Sequence, residues 1–205
     1  MVIVRRVVVG SIAGLIAGAP AFARTHATNG PVIQVRAAPG SIHGTLGFRG
    51  RQYACVLGRA GIVHPKHEGD GGTPAGMFPL REVRYRADRQ ARPRTGLPVV
   101  ETKPDDGWCD EPADPAYNTL VHMPYEADAE VMWRDDHLYD LLAVVGCNDA
   151  PVVPGAGSAI FLHVARTSPD GTFLPTAGCV AMKKADLVVV LAGSNPGTMI
   201  GIAAI

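Results

Sequence analysis

A cysteine and a histidine near the C-terminal end of the sequence have neighbours suited to covalent catalysis. His163 lies in an apolar run from Phe161 to Val164, and a polar loop separates it from Cys179, which follows Gly178. A thiol is only slightly ionised at neutral pH, so an imidazole that takes its proton would supply a thiolate nucleophile. The backbone amides of Gly178 and Cys179 could stabilise an oxyanion, because a glycine lets a substrate carbonyl approach closely. The pattern predicts Cys179 as nucleophile and His163 as its base.

The same residue types also fit structural roles. The sequence has 4 cysteines, and an even number in an oxidising compartment ordinarily indicates disulfides. If one bridge exists, we expect it to join Cys109 and Cys147, whereas Cys55 lies in an alternating apolar run and is expected to be a buried small hydrophobe. Metal binding is a further alternative, although no pair shows the spacing of a zinc site. The histidines available for it are His64, His67, His122 and His137.

The elements around this pair predict a mainly β domain. Short apolar runs are broken by many of the 24 glycines and 17 prolines, which is typical of strands joined by turns. The expected strands are Val32 to Val35, Ser41 to Phe48, Arg51 to Leu57, Met77 to Tyr85, Thr119 to Met123, Leu141 to Gly146, Ile160 to Val164 and Met199 to Ile202. Arg49 and Gly50 indicate a hairpin turn, and Ala127 to Trp133 and Lys183 to Ala192 are candidate helices. We expect a single β-barrel or sandwich with one or two short helices.

The N-terminus has the features of a secretory signal. A short basic start precedes the apolar run Val7 to Ala19, and Ala21-Phe22-Ala23 matches a small-x-small cleavage site. We predict a signal peptide over 1–23, a flexible leader over 24–31 and a catalytic domain over 32–205, with the mature protein in the periplasm. An uncleaved membrane anchor is the alternative, but the apolar run is shorter than the ~20 residues that a span needs.

The composition argues against two other functions. The 19 basic and 19 acidic residues balance, so no basic stripe is available to neutralise the phosphates of a nucleic acid. The glycine-rich segment from Glu68 to Gly76 lacks the Gly-Lys-Ser/Thr ending of a phosphate-binding loop. A tight turn between strands is the plainer interpretation of that segment.

Two motifs together resemble the YkuD-type L,D-transpeptidases. His163, followed by Cys179 within Thr-Ala-Gly-Cys-Val-Ala-Met, is similar to the catalytic signature of that family. Upstream, Thr73-Pro74-Ala-Gly76-Met-Phe78 resembles its Thr-Pro-x-Gly-x-Phe element. The resemblance spans nearly the whole chain after the leader.

The resemblance implies a β-rich enzyme that acts on peptidoglycan stem peptides. Cys179 would attack a carbonyl of one stem and pass the acyl group to an amine of a second stem, with His163 as base and then acid. The backbone carbonyl of Val164 would orient the imidazole, and no metal or organic cofactor would be needed. The same Cys-His pair in a stem-peptide hydrolase such as an L,D-carboxypeptidase is one alternative, and a non-catalytic wall-binding module is another.

The motif also departs from the common family form. Ala177 and Ala181 replace the histidine two positions before the cysteine and the arginine two positions after it. The usual donor preference therefore does not carry over. The altered motif resembles a divergent proteobacterial branch, and this likeness suggests a bond from L-alanine at stem position one to diaminopimelate at position three.

Several polar and aromatic residues are candidates for substrate binding, and three of them have a structural alternative. Trp108, Tyr117 and Asn118 lie in a long irregular stretch, and long loops often form binding surfaces. Trp108 could equally be a core anchor. Further candidates are Asn148, whose alternative is turn chemistry, Arg166, whose alternative is a solvated surface, and Thr176.

Overall fold

The computed structural model describes residues 30–205, which form strands joined by turns and one helix. The strands are β1 (Val32–Ala37), β2 (His43–Phe48), β3 (Arg51–Val56), β4 (Ile62–Val63), β5 (Thr73–Pro74), β6 (Gly76–Tyr85), β7 (Val99–Glu101), β8 (Asp106–Cys109), β9 (Leu120–His122), β10 (Ala129–Val131), β11 (Leu141–Val145), β12 (Phe161–Val164), β13 (Val180–Met182) and β14 (Met199–Ala204). The helix α1 (Lys184–Ala192) lies between β13 and β14. The predicted signal peptide and most of the predicted leader lie outside the described residues. Within residues 30–205, no helix is both long enough and apolar enough to cross a membrane.

The main sheet closes on itself. Its strand order is β11-β12-β13-β3-β2-β1-β14-β6-β7, and β11 also pairs with β6. Leu141 faces Tyr85 and Val145 faces Leu80 in that closing pair. Closure removes most exposed strand edges, which is how antiparallel β-domains avoid edge-to-edge association. The expected mainly β fold is therefore confirmed.

The two faces of this sheet carry two different hydrophobic clusters. The larger cluster includes Leu162 and Val180 and is covered by Leu187, Val190 and Leu191 of α1. A smaller cluster on the other face of β11 and β12 is formed by Met132, Tyr139, Leu142, Val144, Ala159, Phe161 and Cys179. Successive residues of a strand point to opposite faces, so β12 separates the two clusters.

Most of the predicted elements are present. All eight expected strands are observed with boundaries shifted by a few residues, and α1 occupies the second predicted helix. Arg49 and Gly50 have φ values of 48° and 77°, as a two-residue hairpin loop with two left-handed residues requires. The pairing of Phe48 with Arg51 flanks this turn, which confirms the hairpin.

The helix predicted over Ala127 to Trp133 is wrong. This segment forms β10, in which Ala129 pairs with Cys109 and Val131 pairs with Gly107. Its alanine, glutamate and methionine favour a helix locally, but pairing with β8 satisfies the backbone and overrides that propensity.

The cysteines are free thiols in the described part of the chain. Cys109 and Cys147 do not form the suggested disulfide, and both are buried. Cys55 is 1% exposed in the larger cluster, as expected for a small core hydrophobe.

Candidate active site

Parallel pairing between β12 and β13 brings His163 and Cys179 to the same edge of the smaller cluster. Leu162 pairs with Val180 and His163 pairs with Ala181, so Cys179 immediately precedes the paired segment. Phe161 and Cys179 belong to the smaller cluster, whereas Leu162 points into the larger one. The alternation of β12 thus places His163 on the face of the smaller cluster, which also contains Cys179.

A tight turn holds the backbone of the cysteine. Thr176 Oγ1 donates to the carbonyl oxygen of Cys179 at 2.7 Å and accepts the Gly178 amide at 3.1 Å. Thr73, from the upstream motif, also donates to the Cys179 carbonyl at 3.4 Å. A Cβ added to Gly178 would lie 3.0 Å from the carbonyl oxygen of Gly72, so the close approach of these two segments requires a glycine.

The thiol is placed by backbone groups. Cys179 Sγ donates to the carbonyl oxygen of Ala159 and accepts the amide of Phe161, each at 3.3 Å. Ala159 has a φ of 50°, a left-handed conformation that is uncommon for a residue with a side chain. Asn118 Oδ1 accepts the Ala159 amide at 3.1 Å and helps to hold this conformation. Such strain is often found at functional sites.

The imidazole of His163 is oriented by the backbone carbonyl of Val164. His163 Nδ1 lies 2.9 Å from that oxygen, and the side chain is buried. Since a carbonyl can only accept, Nδ1 carries the hydrogen and Nε2 is left free to take a proton. The Tyr139 ring packs edge-on against the imidazole at a centroid distance of 5.2 Å. The position of Val164 is the one expected for an orienting carbonyl.

Burial keeps both groups of the pair neutral. It lowers the pKa of His163 to about 4, against a smaller opposing effect of the Val164 carbonyl. It raises the pKa of the Cys179 thiol to about 12, and the negative charge of Glu130 adds to this rise. In the described residues Sγ bonds to backbone groups and not to the imidazole. Burial therefore favours the neutral thiol and the neutral imidazole over an ion pair.

Both side chains open into one cavity of about 320 Å³. The cavity combines acidic and basic side chains with apolar ones, which suits a substrate that carries both charges. It is lined by Lys66, Glu68, Asp110, Glu130, Arg134, Leu138, Tyr139, Ser158, Ala159, Ile160, His163, Arg166, Leu174, Pro175, Thr176, Ala177, Gly178 and Cys179.

Three of the predicted site residues besides the catalytic pair line this cavity. Arg166 is half exposed and donates to Asp136 at 2.9 Å, so its guanidinium is already paired on one side. Thr176 caps the cysteine turn. Gly178 lies on the wall, but its amide is engaged by Thr176, which leaves the Cys179 amide as the better placed oxyanion donor.

The other four predicted binding residues do not line this cavity, and two of them, Trp108 and Asn118, line a second cavity of about 360 Å³. Trp108 donates its indole N–H to Asn118 at 3.0 Å and packs edge-on against Phe161, as the core-anchor alternative requires. The Asn118 amide donates to the carbonyls of Cys147 and Asn148. These contacts place Asn118 behind Ala159 and not in the substrate groove.

Tyr117 and Asn148 support the same wall from further away. Tyr117 is 2% exposed and donates its hydroxyl to Glu68 at 2.5 Å. Asn148 has a φ of 52° and bonds to the backbone of Val153 and Gly157, which is turn chemistry. Their burial or local bonding leaves no polar group for a substrate.

Sequence reasoning missed most of the charged lining. The missed residues come from separate loops and strands, and their order in the sequence does not show that they converge. They are Glu68, Asp110, Glu130, Arg134 and Tyr139. The available signals were the glycine-rich segment that begins at Glu68 and the irregular stretch after β7, which supplies Asp110.

One other group of side chains has the spacing of a metal site. Asp105, Asp106 and His122 bring one ligand atom each within 4.8 Å of one another, the only such group of three in residues 30–205. Asp106 is already engaged by Arg84 at 2.7 Å, and none of these residues lines the catalytic cavity. The proposed chemistry does not involve this group.

Comparison with known proteins identifies the family of the chain. The YkuD family model, the L,D-transpeptidase catalytic domain, matches residues 44–202. No curated protein matches the chain. Among solved structures, the chain is similar to Mycobacterium tuberculosis L,D-transpeptidase 1, with 12% sequence identity and a TM-score of 0.36. The match covers 85% of this chain and 63% of that one, so the chain spans less than two thirds of that protein's length.

Proposed function

The chain belongs to the YkuD family of L,D-transpeptidase catalytic domains, and from this premise we propose that it cross-links peptidoglycan stem peptides through an acyl-enzyme on Cys179. The observation that carries the proposal is the placement of Cys179 and a carbonyl-oriented His163 in one cavity. A thiol, a base with a free Nε2 and a backbone amide are the groups that acyl transfer requires.

The first half of the reaction forms the acyl-enzyme. As Sγ of Cys179 attacks the donor carbonyl, its proton passes to Nε2 of His163. The C–S bond forms, the C–N bond of the donor breaks, and His163 returns the proton to the leaving amine. The Cys179 amide stabilises the oxyanion of the intermediate. Because the resting pair is neutral, we propose that proton transfer accompanies substrate binding and does not precede it.

The second half decides the product. Attack by an amine of a second stem gives a cross-link, and attack by water gives a shortened stem. We propose transfer to the amine, and we further propose that the bond joins stem position one to position three, since Ala177 and Ala181 replace the usual donor-pocket side chains. A product made only of dimers joined between two third positions would contradict the second statement.

The location of the enzyme follows from the same substrate. We propose that residues 1–23 are a signal peptide and that the domain after the leader acts in the periplasm, where stem peptides are found. Secretion of a fusion that carries residues 1–23, and retention of one without them, would test this.

The test of the function is incubation of the mature protein with purified muropeptides, followed by mass spectrometry. We expect new dimers with the wild type and with Cys55→Ala, and none with Cys179→Ser. Fragmentation of the dimers identifies the joined residues. Shortened monomers without dimers would show a hydrolase, and unchanged muropeptides would contradict both.

A further inference from the structure

The charges that line the catalytic cavity are unevenly paired. The basic side chains have acidic partners: Lys66 bonds to Asp70 at 2.5 Å, and Arg134 and Arg166 both donate to Asp136. Of the three lining carboxylates, only Glu130 has a cation within 4.0 Å in the described residues, and Arg134 is 3.7 Å from it. The acidic side of the cavity, formed by Glu68, Asp110 and Glu130, can therefore bind a further positively charged group.

An organic cation fits this side better than a metal ion. Glu68, Asp110 and Glu130 do not bring three ligand atoms within 4.8 Å of one another, since in residues 30–205 only the group around His122 does so. A metal needs such convergence, whereas an ammonium group can bind one or two carboxylates. One oxygen of Asp110 is buried and has no hydrogen-bond donor among the described residues, so it can still accept a hydrogen bond from a ligand.

Glu130 is the lining carboxylate that is coupled to the catalytic pair. Tyr139 donates its hydroxyl to Glu130 at 2.5 Å. The ring of the same tyrosine packs edge-on against His163 at 5.2 Å, and Cys179 belongs to the same cluster. A single buried side chain thus connects Glu130 to the base and the nucleophile.

The negative charge of Glu130 does not serve the first half-reaction. It raises the pKa of the Cys179 thiol and so opposes formation of the thiolate. The pKa of Glu130 itself is raised, mainly by burial and further by the negative charges of Asp110 and Asp136. The Tyr139 hydrogen bond and the positive charge of Arg134 oppose this rise. If Glu130 takes part in the reaction, it therefore acts in a step other than the attack of the thiol.

The proton balance of the second half-reaction supplies such a place. An ammonium carries three N–H hydrogens, and the amide that it forms carries one, so two protons must leave the nitrogen. His163, neutral in the acyl-enzyme, takes one and delivers it to Sγ of Cys179 as the C–S bond breaks and the C–N bond forms. The other goes either to solvent before the amine binds or to a second acceptor in the cavity, because the histidine has a single free nitrogen.

We propose that Glu130 is this second acceptor: its carboxylate binds the ammonium of the incoming stem and takes the first of its two protons. The inference rests on the function proposed above. After transfer, Glu130 releases its proton to solvent through the open cavity. Tyr139 is a positioning residue that holds the carboxylate in place.

Glu130→Gln tests the proposal when the two half-reactions are measured separately. The variant keeps the shape of the side chain and removes its charge. With a donor stem alone, we expect intact-protein mass spectrometry to show an acyl-enzyme formed at least as fast as in the wild type. With an acceptor stem added, we expect dimer formation to fall by about 10²-fold or more, the usual effect of losing a general base. Glu126→Gln, an exposed change of the same kind, should leave both steps unchanged.

A neutral acceptor separates proton removal from a purely structural role. Hydroxylamine is uncharged at neutral pH, so it does not need the first deprotonation. We expect Glu130→Gln and the wild type to transfer the acyl group to hydroxylamine at similar rates, whereas a distorted cavity would slow both acceptors. Glu130→Asp, which keeps the charge, should retain part of the transfer to stems.

Two outcomes would overturn the proposal. Dimer formation by Glu130→Gln at the wild-type rate would remove Glu130 from the reaction, and an equal loss of acyl-enzyme formation would give it a structural role only. If the wild type forms no acyl-enzyme with any stem, the proposed function fails as well, and the two failures are thereby distinguished.

Discussion

Cys55 and Cys179 are both buried, but they lie in two regions of the domain that differ chemically. Cys55 is 1% exposed and Cys179 is 6% exposed, and burial raises the pKa of each thiol to about 12. Cys55 is surrounded by the larger apolar cluster. Cys179 has a backbone donor and acceptor at 3.3 Å and opens into a cavity that also holds His163.

Burial therefore does not decide which thiol reacts. Burial raises the pKa of both thiols, so neither is marked by a lowered pKa, the usual sign of a reactive cysteine. Cys179 differs from Cys55 in having a base with a free nitrogen, an available amide and room for a substrate.

The largest difference in activity should appear between two variants in which one of the two cysteines is replaced by alanine. Cys179→Ala removes the nucleophile, so we expect acyl transfer to fall by at least about 10⁴-fold. Cys55→Ala should keep full activity per folded molecule and lose about 1 to 3 kcal/mol of unfolding free energy, as is typical of a core truncation. Turnover assays and urea titrations measure the two quantities. Comparable loss of turnover in both variants would abolish the distinction.

His163→Gln should have the next largest effect. Its amide cannot take the thiol proton, so we expect the rate of acyl-enzyme formation to fall by about 10²- to 10⁴-fold. His43→Gln, an exposed change on β2, is the matched control and should leave the rate unchanged. An unaffected rate in His163→Gln would remove the imidazole from the mechanism.

Thiol labelling should show a steep pH dependence at Cys179. With a pKa of about 12, its thiolate fraction rises about tenfold per pH unit across the neutral range, and the rate of alkylation should rise with it. Cys179 should still label before Cys55, because only Cys179 lines the catalytic cavity. A labelling rate that reaches a plateau below pH 8 would indicate a thiolate-imidazolium pair instead.

The smallest effect concerns stability in acid. The pKa of His163 is lowered from 6.5 to about 4 in the folded protein. As the pH falls below 6.5, His163 is protonated in the unfolded chain but stays neutral in the folded protein until about pH 4. The unfolding free energy therefore decreases over that interval. Between pH 7 and 4.5 we expect the wild type to lose on the order of 2 kcal/mol more than His163→Gln. Equal losses in urea titrations at both pH values would contradict a buried neutral imidazole.

The strands could be predicted from the sequence, and Cys179 and His163 could be proposed as a pair, because both depend on local patterns. Alternation marks β1, a short apolar run marks β12, and the order of His163 and Cys179 is visible along the chain. The segment 127–133 was misassigned since its pairing partner, β8, is distant and overrides helix propensity. Pattern alone cannot supply such a partner.

The lining of the cavity could not be predicted for a related reason. Trp108 and Asn118 were expected to meet substrate, but their polar groups bond to each other. Glu130 of β10 and Tyr139 line the same cavity and are joined by a hydrogen bond, although neither position is marked by a local pattern. Which polar side chain faces a cavity and which faces the protein is set by tertiary contacts.

The central claim is that Cys179, with His163 beside it, carries the acyl group during the reaction. The most direct test is to react the mature protein with a donor stem, quench it in acid and locate the added mass by peptide mapping. The account predicts one acyl group on the peptide that contains Cys179, present in the wild type and strongly reduced in His163→Gln. An acyl group on another cysteine, or cross-linked product without any covalent intermediate, would contradict it.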